Sequence, residues 1–254
     1  MGDTLQVLSY NVHGGIGVDG RLDLDRVASV VRRVDPDVVG LQEVDRRFRA
    51  SSEYEDQFAV LRDRLDAHGV FAPALEREAT DDSGGDPRQY GNAVLSRGPV
   101  RSSRTLELPA DPESERRVLL VTDVELEGTS LSFATTHLCL TADERRRQVG
   151  AILDVAMETQ LPQVLVGDFN ASPDSASVSA LTETYVDAFD DRGAGDAPTF
   201  PASSSDAGTG ESTTPERRID YVFCTPDVTV RSVRRVDSPA SDHLALTATL
   251  ELPS

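Results

Sequence analysis

Acidic, amide and imidazole side chains recur in this chain where short apolar runs end and a loop begins. The set consists of Asn11, Glu43, His137, Asp168, Asn170, Asp220, Asp242 and His243. Carboxylates and amides are oxygen ligands suited to Mg²⁺, and imidazoles bind phosphates or move protons. A single Asp or Asn after a strand is most often a turn or a helix cap. Five or six strands that each deliver such a residue to one rim of a sheet pair would instead assemble a catalytic cluster.

The motifs around these residues follow one another in a recognisable order. They are Ser9-Tyr10-Asn11, Leu41-Gln42-Glu43-Val44, Gly91-Asn92-Ala93-Val94-Leu95-Ser96, Thr136-His137-Leu138, Gly167-Asp168-Phe169-Asn170, Arg218-Ile219-Asp220-Tyr221 and Ser241-Asp242-His243. The ordered set resembles the endonuclease/exonuclease/phosphatase superfamily, which includes deoxyribonuclease I, abasic-site endonucleases, neutral sphingomyelinases and inositol polyphosphate 5-phosphatases. Any one motif is weak, but the set spans residues 9 to 243 and is highly specific.

The resemblance implies an α/β fold of the deoxyribonuclease I type, a four-layer α/β sandwich in which two packed mixed β-sheets are flanked by helices. It also implies hydrolysis of a phosphoester, in particular a phosphodiester, with a divalent cation. Mg²⁺ is the expected cation and Mn²⁺ the alternative, because one or two carboxylates with an amide suffice to hold such an ion. By the same resemblance Glu43 is the principal metal ligand, with Asn11 and Asp242 beside it.

The resemblance also divides the chemistry among the remaining residues. Asp168 is the general base or the group that orients the attacking water, and Asn170 donates to a phosphate oxygen. His243 binds and polarises the phosphate, and Asp220 holds its tautomer. His137 is either a second phosphate contact or the acid at the leaving oxygen.

His13 sets this chain apart from the abasic-site endonucleases, which carry an acidic residue two positions after the motif Asn. The Tyr-containing segment that those enzymes have after the middle strand is not found between Arg97 and Val118. We therefore expect a phosphate-ester substrate that need not be a nucleic acid, and His13 is predicted to contact it. A DNA endonuclease or exonuclease is the alternative function. A non-catalytic protein that binds a phosphate ligand is disfavoured, because no recognised catalytic position is substituted.

Four further residues are predicted to contact the substrate, although each also has an ordinary structural explanation. They are Arg46, Arg88, Tyr90 and Asn92. Arg46 lies just beyond the expected metal ligand and Arg88 lies beside Tyr90, so either guanidinium is placed to meet a phosphate. Surface salt bridges are an equally good prediction for both. A lone Tyr is more often a packing residue than a stacking platform.

Hydrophobic patterning places these residues on alternating strands and helices, which predicts one α/β domain over residues 1–254. The predicted strands are Leu5 to Tyr10, Val38 to Gln42, Gly91 to Ser96, Val118 to Leu126, Ser130 to Leu138, Val164 to Val166, Ile219 to Phe223, Val228 to Val236 and Leu244 to Glu251. The predicted helices are Leu22 to Val34, Gln57 to His68 and Asp143 to Glu158. Thr80 to Arg88 and Gly193 to Pro215 are rich in Gly, Ser, Thr, Asp and Pro and are predicted to be loops.

The charge composition is strongly acidic and free of lysine. Among 254 residues, 44 are Asp or Glu and 25 are basic, all of them Arg, for a net charge of −19. Such a composition predicts a halophilic archaeal host, where an acidic surface stays hydrated in concentrated salt. A GC-rich genome would explain Arg in place of Lys but not the excess of acids. Molar salt shortens the Debye length to about 3 Å, so the charge does not exclude a polyanionic substrate.

The remaining composition bounds the location and the mechanism. No apolar run approaches the roughly 20 residues that span a bilayer, and Met1 to Leu8 is unlike a signal sequence, so we expect a cytoplasmic monomer without a membrane span. Cys139 and Cys224 are too few for a disulfide scaffold or a Cys-based metal site and are predicted to be buried thiols. Without lysine, any protein cation that touches a phosphate must be Arg or protonated His.

Overall fold

The computed structural model of the protein describes residues 4–193, 197–202 and 214–253. Its strands are β1 Thr4–Asn11, β2 Val38–Arg46, β3 His68–Arg77, β4 Arg88–Ser96, β5 Val100–Leu108, β6 Arg117–Leu126, β7 Thr129–His137, β8 Gln163–Asp168, β9 Val186–Asp187, β10 Asp220–Cys224, β11 Thr229–Val236 and β12 Ala245–Glu251. Its helices are α1 Leu24–Val34, α2 Gln57–Arg64, α3 Ala142–Ala156, α4 Ala176–Thr182 and α5 Ala188–Arg192.

The strands form two six-stranded sheets, ordered β11-β12-β1-β2-β4-β3 and β5-β6-β7-β8-β10-β9. Each sheet is mixed, because β1 runs parallel to β2 and β7 runs parallel to β8 while the other neighbours are antiparallel. An apolar core that includes Val7, Val94, Phe133 and Val166 lies between the sheets. Two further cores lie under α1 and α2 on one side and under α3 and α4 on the other. The predicted four-layer sandwich is therefore confirmed.

Local sequence explains where the best-predicted helix begins and ends. The side chain of Asp23 caps α1 by accepting a hydrogen bond from the backbone N–H of Arg26 at 3.0 Å. Val27 and Val31, four residues apart, are buried on the same face of the helix. Asp35 ends the helix in the left-handed conformation (φ 58°), and a proline follows. The helix begins at Leu24, directly after the capping Asp23 and two residues later than predicted.

The structure differs from the prediction chiefly at the sheet edges. The helix predicted from Gln57 to His68 is too long: it ends at Arg64, and His68 begins the unpredicted strand β3. β5 is also unpredicted, and most of its side chains are exposed. Both strands lie at the outer edge of a sheet, where neither face must be uniformly apolar, so the alternation that reveals a strand is weak. The helices α4 and α5 are too short to show a periodic pattern.

The two predicted loops have different outcomes. Residues 78–87 are neither helix nor strand, which confirms the first loop apart from Arg88, the first residue of β4. In the second, residues 194–196 and 203–213 lie outside the described residues. No helix in the described part of the chain is long and apolar enough to cross a membrane.

Arg218, just before β10, forms a buried ion pair with Asp187 at the end of β9. The Nη1 and Oδ2 atoms are 2.7 Å apart, and both residues are buried. We expect Asp187→Leu to lower the free energy of unfolding by about 2–3 kcal/mol, because the buried Nη1 loses its acceptor while Nη2 keeps Asp190 at 2.9 Å. Adding Arg218→Met should reduce that loss. Urea unfolding measures both effects, with the exposed pair Arg62–Asp63 as the control, where Asp63→Ala should cost less than about 1 kcal/mol. Equal costs for Asp187→Leu and Asp63→Ala would contradict the prediction.

Candidate active site

The pairing of the strands brings the predicted polar residues to one end of the sandwich. In the second sheet Asp168, at the end of β8, pairs with His137 on the parallel strand β7 and with Asp220 on the antiparallel strand β10. In the first sheet Asn11 at the end of β1 pairs with Gln42, the residue before Glu43. Each sheet thus delivers its polar residues to the same rim.

Asn11 joins the two sheets at this rim. Its buried amide Nδ2 donates to Oε1 of Glu43 at 3.0 Å and to Oδ2 of Asp168 at 3.1 Å. Its Oδ1 accepts a hydrogen bond from the backbone N–H of His13 at 3.1 Å. One amide therefore fixes the separation of two carboxylates that belong to different sheets.

The backbone of Glu43 is unusual for a strand residue. Its φ of +58° lies in the left-handed region, and the pairing of β2 with β4 shifts register between Leu41 and Val44. A non-glycine residue with this φ is strained and is commonly found at functional sites. The bulge turns the Glu43 carboxylate toward Asn11 and leaves its side chain 19% exposed, so it remains accessible to a ligand.

His243 is held between two buried carboxylates. Its Nδ1 lies 3.0 Å from Oδ2 of Asp220, and its Nε2 lies 3.6 Å from Oδ2 of Asp168. Burial alone would lower the pKa of His243, but the charge of Asp220 and its hydrogen bond outweigh burial and raise that pKa to about 10. The two carboxylates therefore favour the doubly protonated form of His243. Burial raises the pKa of Asp168 above its ordinary value, and the positive charge of His243 opposes this rise.

The pKa of His137 is shifted in the opposite direction from that of His243, although both rings contact Asp168. Its Nε2 lies 3.4 Å from Oδ2 of Asp168, and its Nδ1 lies 3.1 Å from Nη1 of Arg117. Burial, and then the positive charges of Arg117 and His243, hold the pKa of His137 well below its usual range. Asn170 completes this side of the site: its backbone N–H donates to Asp168 and its Nδ2 lies 3.0 Å from Nε2 of His137.

A second carboxylate, Asp242, lies close to Glu43 on the open side of the cluster. Burial raises the pKa of Asp242; His243 and His13 oppose that rise, and the negative charge of Glu43 adds to it. Nδ1 of His13 is 3.5 Å from Oδ1 of Asp242. Two neighbouring carboxylates with hard oxygen donors, both reachable from solvent, fit a divalent cation such as Mg²⁺. Asn11 turns its Nδ2 toward Glu43 and Asp168, while its Oδ1 accepts from the backbone N–H of His13 and keeps a second lone pair that could bind a cation.

A different trio, Asp168, Asp220 and His243, also has side-chain atoms within 4.8 Å of one another. Such a spacing is compatible with a metal site. Asp220 raises the pKa of His243, however, so a metal at this position would compete with a proton for the lone pair of that ring. The donor chemistry therefore favours Glu43 and Asp242 for the cation.

A family model for the Endonuclease/Exonuclease/phosphatase family matches residues 8–243. The chain belongs to this family. A crystal structure of an endonuclease/exonuclease/phosphatase from Beutenbergia cavernae DSM 12333 is 30% identical, with a TM-score of 0.81 over 99% of this chain and 72% of that chain. The mannosyl-6-phosphatase of Bacteroides thetaiotaomicron VPI-5482 has a TM-score of 0.77 at 18% identity, over 97% of this chain and 99% of that chain. The uncharacterized protein YbhP of Escherichia coli K12 is 27% identical over 181 residues, which are 66% of this chain and 67% of YbhP.

Members of the endonuclease/exonuclease/phosphatase family are hydrolases that act on phosphoester bonds, so this chain has a phosphoesterase fold. The eight residues singled out by the motifs meet at one rim of that fold. The structure places His13 there as well, beside Asp242.

Of the other predicted substrate contacts, two have structural partners elsewhere. The guanidinium of Arg46 forms an ion pair with Asp56 at 3.2 Å and lies 5.2 Å from the ring of Phe71. Nδ2 of Asn92 donates to the backbone carbonyl of Val118 at 3.0 Å and so links the two sheets. Salt-bridge and packing roles therefore account for the contacts of these two residues.

Tyr90 lies close enough to Glu43 to be affected by its charge, and Arg88 precedes it at the start of β4. The ring of Tyr90 is buried and stacks on Phe48 at 5.5 Å, and burial followed by the charge of Glu43 raises the pKa of its hydroxyl. Arg88 has a buried Nε without a hydrogen-bond acceptor among the described residues. Tyr90 is thus a packing residue beside Glu43, and no contact among the described residues joins Arg88 to the cluster.

Arg117 is a member of the site that the motifs did not reveal. It is buried, its Nη1 contacts both Glu115 and His137, and its Nε has no acceptor among the described residues. The hairpin predicted from Val118 to Leu138 would have placed Arg117 near His137 if its register had been worked out. Its register pairs Leu119 with Thr136, which brings the start of β6 beside His137.

Residues 199–202, inside the segment predicted as a loop, join the two halves of the site. Oγ1 of Thr199 accepts hydrogen bonds from the backbone N–H of Asp220, and its carbonyl accepts one from Leu244. The ring of Phe200 lies 4.7 Å from the ring of His243. No property of the sequence marks this segment, because its role depends on strands that are distant in the chain.

Proposed function

We propose that this protein is a divalent-metal-dependent hydrolase of phosphoesters, with phosphodiesters as the preferred class. One observation carries the proposal: Oδ2 of the buried Asp168 is contacted by Asn11, His137 and His243 together, beside the accessible carboxylates of Glu43 and Asp242. A buried carboxylate with a raised pKa is suited to accept a proton from water near neutral pH.

Glu43 and Asp242, with the amide oxygen of Asn11, are the residues that would hold Mg²⁺ or Mn²⁺. When bound, the cation supplies positive charge that neutralises the phosphate and stabilises the charge that develops in the transition state. The strained bulge at Glu43 is then functional, because it turns the carboxylate out of the middle of β2 toward Asn11.

The remaining residues transfer the proton and orient the attacking water and the phosphate. Asp168 orients a water and takes its proton as the new P–O bond forms. The bond from phosphorus to the leaving oxygen breaks, and that oxygen takes a proton from solvent and leaves as an alcohol. The doubly protonated His243 donates to a phosphate oxygen, and Asp220 keeps that ring in place. Asn170 donates from its amide, and the guanidinium of Arg117 beside His137 adds positive charge.

Removal of the metal is expected to stop the reaction. We would assay a diester, a monoester, a lipid head group and abasic duplex DNA in molar KCl, with Mg²⁺ and with EDTA. Turnover should appear with Mg²⁺, disappear in EDTA, and return when excess Mg²⁺ is added, since charge neutralisation by the cation supplies several kcal/mol.

Other outcomes of this assay separate the alternatives. Turnover that persists in EDTA would contradict the proposed metal dependence. A rate on DNA far above the others would establish the nuclease alternative. Saturable binding of esters without hydrolysis of any of them would indicate a binding protein.

A further inference from the structure

Arginines collect at the same end of the first sheet as the polar cluster. β2 runs parallel to β1 and antiparallel to β4, and β4 runs antiparallel to β3. The last residues of β1, β2 and β3 and the first residues of β4 therefore lie at one end, which is the end that holds Asn11. Arg77 ends β3, Arg88 begins β4, and Arg49 follows shortly after β2. We call Arg49, Arg77 and Arg88 the arginine patch.

Phe48 and Tyr90 form the base of this patch. Their buried rings stack with the centres 5.5 Å apart. Cζ of Arg49 lies 5.3 Å from the ring centre of Phe48 and 5.0 Å from that of Tyr90, and Cζ of Arg77 lies 4.6 Å from the ring centre of Phe48. Such contacts hold a guanidinium against an aromatic face. Tyr90 is also affected by the charge of Glu43, so the two rings connect the patch to the carboxylate proposed to bind the metal.

Asp45 fixes the orientation of Arg49. Nη2 of Arg49 donates to Oδ1 of Asp45 at 3.0 Å, and its Nε lies 2.9 Å from Oδ2. The side chain of Asp45 is 0% exposed and that of Arg49 is 39% exposed. A buried carboxylate loses its hydration, so such a pair adds little to stability, but it holds the planar guanidinium in one place. Nη1 of Arg49 has no hydrogen-bond acceptor among the described residues, so this edge can bind a ligand.

Arg77 and Arg88 lie directly opposite each other on neighbouring strands. Like charges in this position repel and destabilise the pairing of the strands. Neither residue forms an ion pair with a carboxylate in the part of the chain that the structure describes, and the buried Nε of Arg88 has no acceptor there. The chain has 44 acidic residues, so the lack of an acid between these two arginines is unexpected. A bound anion would relieve the repulsion.

We propose that the arginine patch binds a phosphate group of the substrate other than the one that is cleaved. The substrate is then a phosphoester that carries at least one further phosphate, and Arg49 and Arg77 are specificity-determining residues. The planar fork of Arg49, held by Asp45 and by the two rings, suits a phosphate that accepts two parallel hydrogen bonds. The inference rests on the proposed function for the phosphate that is cleaved, whereas the patch itself rests on the contacts above.

Equilibrium binding to the unsubstituted protein tests the patch without requiring turnover. Titration calorimetry of the full chain, at one free Mg²⁺ concentration and one ionic strength, would compare two pairs of ligands. One pair is glycerol 1-phosphate and glycerol 1,3-bisphosphate, and the other is thymidine 5′-phosphate and the 5′-phosphorylated tetranucleotide of thymidine. In at least one pair, the ligand with several phosphates should bind at least about tenfold more tightly than the monophosphate. Equal affinities within both pairs would overturn the proposal.

The pair that shows the preference identifies the source of the second phosphate. A preference for the bisphosphate supports a small substrate with two phosphates. A preference confined to the tetranucleotide supports the same patch with a nucleic-acid backbone as its ligand.

Variants of the patch test whether the arginines cause the preference. Arg49→Gln and Arg77→Gln should each reduce it at least about fivefold, while the affinity for the monophosphate stays within about twofold. Arg49→Lys keeps the charge but not the fork and should lose less. An unchanged preference in the folded variants would overturn the proposal. An equal loss of affinity for both ligands of a pair would also overturn it, because a purely structural role has that effect.

Arg62→Gln is the matched control for these variants. Arg62 is also exposed, also forms an ion pair with an acid, Asp63, and also lies over a ring, that of Phe58 at 5.8 Å, but it belongs to α2. It should leave the preference unchanged. An arginine-dependent preference in a protein that hydrolyses no ester would support the patch and contradict the proposed function. Metal-dependent hydrolysis without any preference would do the reverse, so the two fail separately.

Discussion

Replacing Asp168 by Asn is expected to lower kcat by about 10³-fold, within the 10²–10⁴ range that general bases contribute. Asn has nearly the same shape, but its amide cannot take the proton of the attacking water. It also places an NH₂ group or a neutral oxygen where Oδ2 now accepts from Asn11 at 3.1 Å. Steady-state kinetics with the best substrate of the panel and saturating Mg²⁺ measure the effect. Asp154→Asn, an exposed substitution on α3, is the matched control and should leave kcat unchanged.

The same substitution has a second, independent readout in the stability of the protein. The folded-state pKa of Asp168 lies above its ordinary value of 3.8, so the folded chain loses that proton at a higher pH than the unfolded chain. The free energy of unfolding therefore falls as the pH rises through this interval. In EDTA, Asp168→Asn should remove that part of the pH dependence. A kcat within tenfold of the unsubstituted protein, despite a flattened pH dependence, would show that Asp168 is buried but is not the base.

The site residues on the central strands could be predicted, because in the sequence a polar residue follows directly after an apolar run. The strand before Glu43 and the strand before Asp168 are continuous apolar runs, as strands covered on both faces must be, and the polar residue that follows is conspicuous. The parallel pairing of β7 with β8 then brings His137 beside Asp168. The sandwich fold and the cluster of polar residues at one end of it could therefore be inferred from the same sequence pattern.

The contacts that were not predicted depend on register or on distant partners. Arg117 is one of 25 basic residues in the sequence, and only the register of the hairpin distinguishes it from a surface arginine. Phe200 reaches His243 because residues 199–202 bond to the loops before both β10 and β12. The bulge that gives Glu43 its positive φ is likewise a property of the pairing between β2 and β4. Such features arise only when the strands are assembled.

The position of Asn11 explains why the site needs both sheets. Its amide donates to Glu43 from the first sheet and to Asp168 from the second, so the proposed metal ligand and the proposed base are held at a fixed separation. Catalytic groups must be held within a fraction of an ångström, and a buried amide with two acceptors provides that restraint. We therefore expect a substitution of Glu43 that keeps its hydrogen bond with Asn11 to change cation binding while leaving Asp168 in place.

Glu43→Gln is accordingly expected to weaken Mg²⁺ binding and to lower turnover at least about 100-fold at a Mg²⁺ concentration that saturates the unsubstituted protein. The amide oxygen of Gln can still accept from Asn11 at the present 3.0 Å, so the geometry is preserved while the negative charge is removed. Asp242 loses a like-charged neighbour, so its pKa should fall. Calorimetric titration with Mg²⁺ and the Mg²⁺ dependence of the rate measure the two effects.

Glu53→Gln is the matched control for this substitution, because Glu53 is also acidic, also has a positive φ (53°), and is exposed ten residues further along the chain. It should leave both Mg²⁺ affinity and rate unchanged. If the loss at Glu43 reflects a metal ligand, excess Mg²⁺ should restore part of the rate in Glu43→Gln, because Asp242 and Asn11 remain. Unchanged Mg²⁺ affinity in a folded Glu43→Gln protein would place the cation elsewhere, and the trio of Asp168, Asp220 and His243 would then be the next position to test.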